Sequence, residues 1–380
     1  MAEKPLFRFA VIGDIGRKNK HCMAGVSHVL PRLRRIGVRA VLFGEESAWR
    51  LVDVQDGKDF DLGVAAVSAV EEERPALEYV EREGFGFVLC NEKELVEKTW
   101  TPFASGMMDR LKRAKVFFYA QRFHPAGTCA GDFVPKQDAG FSTTALAGMH
   151  NCVAFSCGTL SPLSDERSIR QGDFGFTSVA TSSFRYPALF PGRVAPPSQP
   201  KPLNRPSLIV SVYGDRVVFS RMLLAVGERI GDDWVMPFGD YGALSYERRA
   251  KAMPAPEFAA DAKPQVRFVR EKATEGKVPD VVKVVFPRAQ GARAFEYEVT
   301  VPCLVGGVDS VVAQKRVYSP GIFQQPGAEP ASVSCPFARK ELYHDVQLVF
   351  EVRAMNSFGA KGRPISCART VKSGNANGKV

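Results

Sequence analysis

The chain has 380 residues, of which 45% are hydrophobic and 24% charged, with a formal net charge of +10. That length exceeds what one ordinary core organises, so two globular domains are expected. Eight cysteines without a single CxxC pair leave a zinc ribbon or dithiol redox motif without support, and no apolar run is long enough to span a bilayer.

The N-terminus, MAEKPLFRFAVIGD, runs directly into a strand-like segment, with no charged lead, long apolar stretch or small-residue cleavage site. With the cysteines read as reduced thiols, this sets the expectation of a cytoplasmic chain without a transmembrane segment. Leu6–Ile12 has the pattern of a buried strand and ends in Gly13-Asp14. Residues 21–36 place Val26, Val29, Leu30 and Leu33 on one helical stripe. The densest basic cluster, Arg32, Arg34, Arg35 and Arg39, reads as a solvated helix face, and no aromatic residue interleaves with it as single-strand stacking requires. Val38–Phe43 predicts a second strand, ending in Gly44-Glu45.

Residues 75–83 read as helix, and Gly86–Leu89 as a strand ending in Cys90-Asn91. Lys115–Tyr119 predicts a strand closing near Gln121-Arg122, and Cys152–Phe155 one closing in Ser156-Cys157. Strands alternating with helices predict an α/β layered domain over residues 1–250, in which loops at the carboxyl ends of the strands gather the polar residues. Proline-rich 194–207 reads as a linker, residues 208–224 as a hairpin turning at Gly214-Asp215, and 251–264 as a second linker. From 265 to 372 the pattern becomes purely β, with VVKVVF, AFEYEVTV and VQLVFEV as strands of a sandwich.

The stretch VQLVFEVRAMNSFGAKGRPIS resembles the last two strands of a fibronectin type III domain, where such a run leads into Arg-Ala-x-Asn and a glycine turn. Residues 6–235 resemble the calcineurin-like metallophosphoesterase family. The resemblance is carried by FFYAQRFHPAGTCAG (117–131) and NCVAFSCGTLSPLSDERSIRQGDFGFTSVATSS (151–183). It implies a layered sandwich of mixed sheets flanked by helices, and two divalent metal ions (Mn, Fe or Zn) that polarise a phosphoryl group and generate hydroxide.

Position by position, the same resemblance implies a site that has lost its imidazoles. Asp14 stands where the family has its first aspartate, but Gly16 replaces the histidine two places on. Glu45 replaces the bridging aspartate. Asn91 is kept, while Glu92 occupies the position of the histidine that protonates the leaving group. Arg122 follows Gln121 where a metal-ligating histidine is expected, and Gly158 and Leu160 take the places of two more. An arginine cannot ligate a metal, but it can pair with Asp14 or Glu45, or bind a phosphate.

His124 is on the strand-end parity of Arg122 and is a candidate substitute ligand; next to Pro125, the commoner role is a loop residue making a hydrogen bond. Cys157, Asp132 and Asp138 are nearby candidates, and His21 and His28 fall on the helix after Asp14. Asp165, Glu166, Arg167 and Gln171 read as a retained rim around the site. The expectation is an impaired phosphoesterase with no resident cofactor, binding a protein partner through its C-terminal sandwich. The alternatives are an active hydrolase with a rebuilt two-metal site, and a basic binder of a phosphate-bearing ligand or nucleic acid.

Overall fold

A computed structural model describes residues 3–13, 20–44, 49–54, 77–90, 107–122, 124, 141–157, 162–172, 174–184, 193–194, 205–270, 280–290, 293–305, 308–322 and 330–372. It is rich in strands, with few helices, and divides into two compact units. Unit 1 comprises Met1–Ala188 and Pro200–Ala252, and unit 2 comprises Leu189–Gln199 and Met253–Val380. No helix among the described residues is long and apolar enough to cross a membrane.

Unit 1 holds two mixed sheets. In the first, β1 (Phe7–Ile12) lies between β2 (Ala40–Gly44), its parallel neighbour, and β11 (Pro206–Val212), which is antiparallel to it. β3 (Trp49–Asp53) closes one edge, and β12 (Arg216–Leu223), β13 (Glu228–Arg229) and β14 (Trp234–Pro237) extend the other. The second sheet runs β4 (Leu77–Arg82), β5 (Phe85–Cys90), β6 (Phe117–Gln121), β7 (Cys152–Ser156), β9 (Thr177–Ala180) and β8 (Ile169–Gln171). Its central strands β5, β6, β7 and β9 are parallel.

Alternation along each strand sorts the side chains into layers. Phe7, Phe9 and Val11 of β1 share one core with Phe87, Phe118 and Phe155 of the second sheet. Ala10 and Ile12 face the opposite way, onto Val26, Val29, Leu30 and Leu33 of helix α1 (Lys20–Arg35), the stripe read from the sequence. Val88, Tyr119 and Ala154 turn from the inter-sheet core toward Leu111 and Leu146, on the helical residues 107–113 and the helix Phe141–Leu146. Strands covered on both faces read as continuous apolar runs, which explains FRFAVI and CVAFS.

The helix expected at 75–83 is strand β4 instead. Glu83 and Gly84 both have positive φ, at 54° and 80°, the geometry of a two-residue hairpin turn whose twist matches the strands it joins. Pairing of β4 with β5 over Leu77–Arg82 overrides the helix preference of Ala, Leu and Glu.

In unit 2, β15 (Gln265–Arg270), β16 (Asp280–Pro287) and β19 (Ser332–Ala338) form one antiparallel sheet. β18 (Val308–Tyr318), β17 (Glu296–Val305), β20 (Gln347–Met355) and β21 (Ile365–Thr370) form the other, with β10 (Arg193–Val194) added parallel to β18. Val284 and Phe337 of the first sheet share a core with Tyr297, Val299, Phe350 and Val352 of the second.

Two segments read as linkers are packed structure where they are described. Arg193 of β10 is held by Glu296 at 3.2 Å, inside a chain of ion pairs that continues through Arg316 and Glu298 to Lys361. Phe258 stacks on Tyr297 with ring centroids 6.0 Å apart, and Glu257 bridges to Gln290.

Phe9 is the centre of the inter-sheet core, its ring 4.7 Å from Phe118, 5.2 Å from Phe87 and 6.2 Å from Phe155. Phe9→Ala is expected to cost about 3–5 kcal/mol, read as a shift of the urea midpoint without a change of slope.

Candidate functional site

The carboxyl ends of strands from both sheets of unit 1 meet. Gly13, just past β1, abuts residues 181–182, just past β9: a Cβ on Gly13 would lie 2.1 Å from Thr181 Oγ1 and 2.5 Å from the Ser182 carbonyl oxygen. The Phe184 N–H donates to the Gly13 carbonyl at 2.9 Å. Gly44, at the end of β2, packs on Cys157, just past β7, where an added Cβ would stand 3.0 Å from its sulfur. Thr181 ties β9 to β7, its N–H and hydroxyl both donating to the Ser156 carbonyl at 2.9 and 3.0 Å. These contacts need residues without side chains, so glycine ends β1 and β2 for a steric reason.

Asp14, Gly16, Glu45, Asn91, Glu92, Gly158 and Leu160 lie outside the described residues, as do Asp132 and Asp138. The residues that bracket them are described. Gln121, at the end of β6, accepts a hydrogen bond from the Tyr119 hydroxyl at 2.9 Å, and Arg122 follows it, half-buried. His124 is buried, with Nδ1 hydrogen-bonded to the Ser156 hydroxyl across the ends of β6 and β7. Burial pushes its pKa down to about 3, so the ring is neutral at physiological pH. His28 is exposed on α1. Among the described residues, no three His, Cys, Asp or Glu side chains stand close enough to hold a metal ion together.

The segment 165–171, read as a rim, is held in a network of ion pairs and hydrogen bonds. Asp165 caps the short helix Glu166–Ser168 by accepting from the Arg167 N–H, and its carboxylate pairs with the Arg167 guanidinium at 2.8 Å. Glu166 is an ionic hub. It pairs with Arg221 of β12 at 2.7 Å and with Arg249 of the helix Tyr246–Ala252, and it accepts from Trp234 Nε1 of β14 at 2.7 Å. Arg221 lies over the Trp234 ring, 4.4 Å from its centroid, and donates to the carbonyls of Leu163 and Asp232. Gln171 exchanges two hydrogen bonds with the Leu244 backbone. Asp165 through Gln171 thus stitch the second sheet to the last strands and helix of unit 1.

Arg221 and Arg249 were not singled out by the sequence reading. A signal for Arg221 was present in RVVFSRML: Val217, Phe219 and Leu223 are the core-facing positions of β12, and Arg221 falls on the same parity. A charge on the buried face of a strand requires a buried counter-charge.

Compared with models of known protein families and with curated proteins, the sequence matches none.

Two outcomes follow. Glu166→Gln leaves two largely buried guanidinium groups without a counter-charge and is expected to destabilise by about 3–5 kcal/mol, measured by chemical denaturation. His124 stays neutral in the folded chain down to about 3 but protonates near 6.5 when unfolded, so its contribution is complete above pH 6.5. As pH falls from there toward 3 it is lost, by up to about 1.4 kcal/mol per pH unit. Urea denaturation at pH 7, 6 and 5 should show this slope, and His124→Gln should remove it.

Proposed function

We propose that unit 1 is a calcineurin-like metallophosphoesterase fold that has lost its dinuclear chemistry, and that the chain acts by binding or scaffolding. The layer order supports the fold half of this reading: helix, mixed sheet, mixed sheet, helices, with strand ends of both sheets brought together at Gly13, Gly44, Ser156 and Cys157. In unit 2, three strands against four, with β10 added, support the fibronectin type III-like reading, as does Asn356. Its side chain accepts from the Phe358 and Ala360 N–H groups at 3.0 Å and closes the turn after β20.

The observation that carries the functional half is the chemistry at the end of β6. Where the resemblance calls for an imidazole ligand the chain has Arg122, a permanent cation that repels a metal ion. The nearest imidazole, His124, already spends Nδ1 on Ser156 and is buried. Cys157 is packed against Gly44, and Gln121 is engaged by Tyr119. Among the described residues this donor set does not fit a pair of divalent ions. A basic chain with a second, all-β unit suits a partner-binding role, and the free thiols among the described residues, Cys90, Cys152, Cys157, Cys303, Cys335 and Cys367, suit the cytoplasm.

The test is metal content. Protein purified after growth with Mn, Fe and Zn should carry well under one equivalent by mass spectrometry and should leave bis(p-nitrophenyl) phosphate uncleaved. Two equivalents with turnover would establish a rebuilt site and overturn the reading. Tight binding to RNA or DNA that weakens steeply with salt would move the role to the phosphate-binding alternative.

A further inference from the structure

Unit 2 has four outer strand edges, and they are treated differently. The β18 edge is taken at Arg316 and Val317 by β10, which the Arg193–Glu296 ion pair secures. The β19 edge carries Pro336, which has no N–H to offer, and its carbonyl accepts from Lys315 Nζ at 2.9 Å. On β15, Arg267 folds back onto Gln265 at 3.0 Å, and Phe268 stands exposed. β21 carries neither a proline nor an added strand: it pairs with β20 on one side, β15 comes near it, and among the described residues no strand hydrogen-bonds to its other side.

β21 is also shaped to receive a chain. Ile365 and Cys367 turn toward the core, and Ser366, Ala368 and Thr370, all small and exposed, form the outer face. Across from Ala368 on β20 stands Val349, an exposed apolar side chain. Small residues on the last strand leave room for larger side chains of an added strand to lie over them. The strand ISCART has no acidic residue, and Arg369 and Lys372 are both exposed. The neighbouring acids are engaged: Glu351 lies 3.9 Å from Arg353, and Glu257 lies 3.8 Å from Arg363.

We propose that the free edge of β21 binds an extended, acidic peptide of a partner protein as an added strand. Main-chain hydrogen bonds supply the attachment, the shallow face over Ala368 and Val349 takes alternate apolar side chains, and Arg369 and Lys372 select for acidic ones. A second copy of the chain is the poorer occupant, because pairing through β21 would bring both copies' Arg369 and Lys372 together. The proposal rests on reading the chain as a binding protein, but metal content and peptide binding are read separately, so either can fail alone.

The probe is a fluorescein-labelled peptide of alternating Glu and Val, titrated into the full chain, with amide hydrogen exchange followed over 365–370. The expected result is slowed exchange across β21 and an affinity that falls about tenfold or more in Arg369→Glu/Lys372→Glu, two exposed sites whose reversal leaves the fold intact. A peptide N-methylated at alternate residues should bind without protecting β21, or not bind. Unchanged exchange at 365–370, equal binding of a Lys-Val peptide, binding that survives the charge reversal, or dimerisation through β21 without peptide would each overturn the proposal.

Discussion

A methyl group at residue 13 would stand 2.1 Å from a threonine hydroxyl. The rest of unit 1 is arranged around that constraint. Two sheets can bring their strand ends together only if the backbone of one reaches the other, and Gly13 and Gly44 are where it does so. The Phe7, Phe9, Phe87, Phe118 and Phe155 rings keep the sheets in register behind that contact, with edge-to-face and offset pairs that resist sliding.

The segment Asp165–Gln171 is occupied with architecture. Glu166 neutralises two largely buried arginines from distant parts of unit 1, and a carboxylate so placed is costly to remove whether or not a reaction takes place nearby. Asp165 and Gln171 satisfy a helix cap and a backbone pair. The fold needs these residues for its own cohesion.

Much of this was readable in advance. Strands buried on both faces appear as unbroken apolar runs, so β1, β2, β5, β6 and β7 were placed to within a few residues, and the helical stripe of α1 was found from its spacing. Residues 75–83 read as helix because a helix and a half-buried hairpin strand can share a composition, and only the Glu83-Gly84 turn separates them. Phe258 and Arg193 were hidden in proline-rich stretches, whose composition says nothing about which single side chain is anchored. The partnership of Glu166 with Arg221 spans 55 positions and has no local signature beyond a charge at a core-facing site.

The short strand β10 has a consequence for how the chain is made. It belongs to the second unit, yet β11 and β12, which complete the sheet around β1, come after it. During synthesis β1 and β2 emerge early and wait some two hundred residues for β11, and β10 in turn waits more than a hundred for β18. Neither unit is a continuous stretch of polypeptide. A nascent chain must therefore keep several half-finished edges open at once, a burden that favours slow assembly and chaperone attendance over folding one domain at a time.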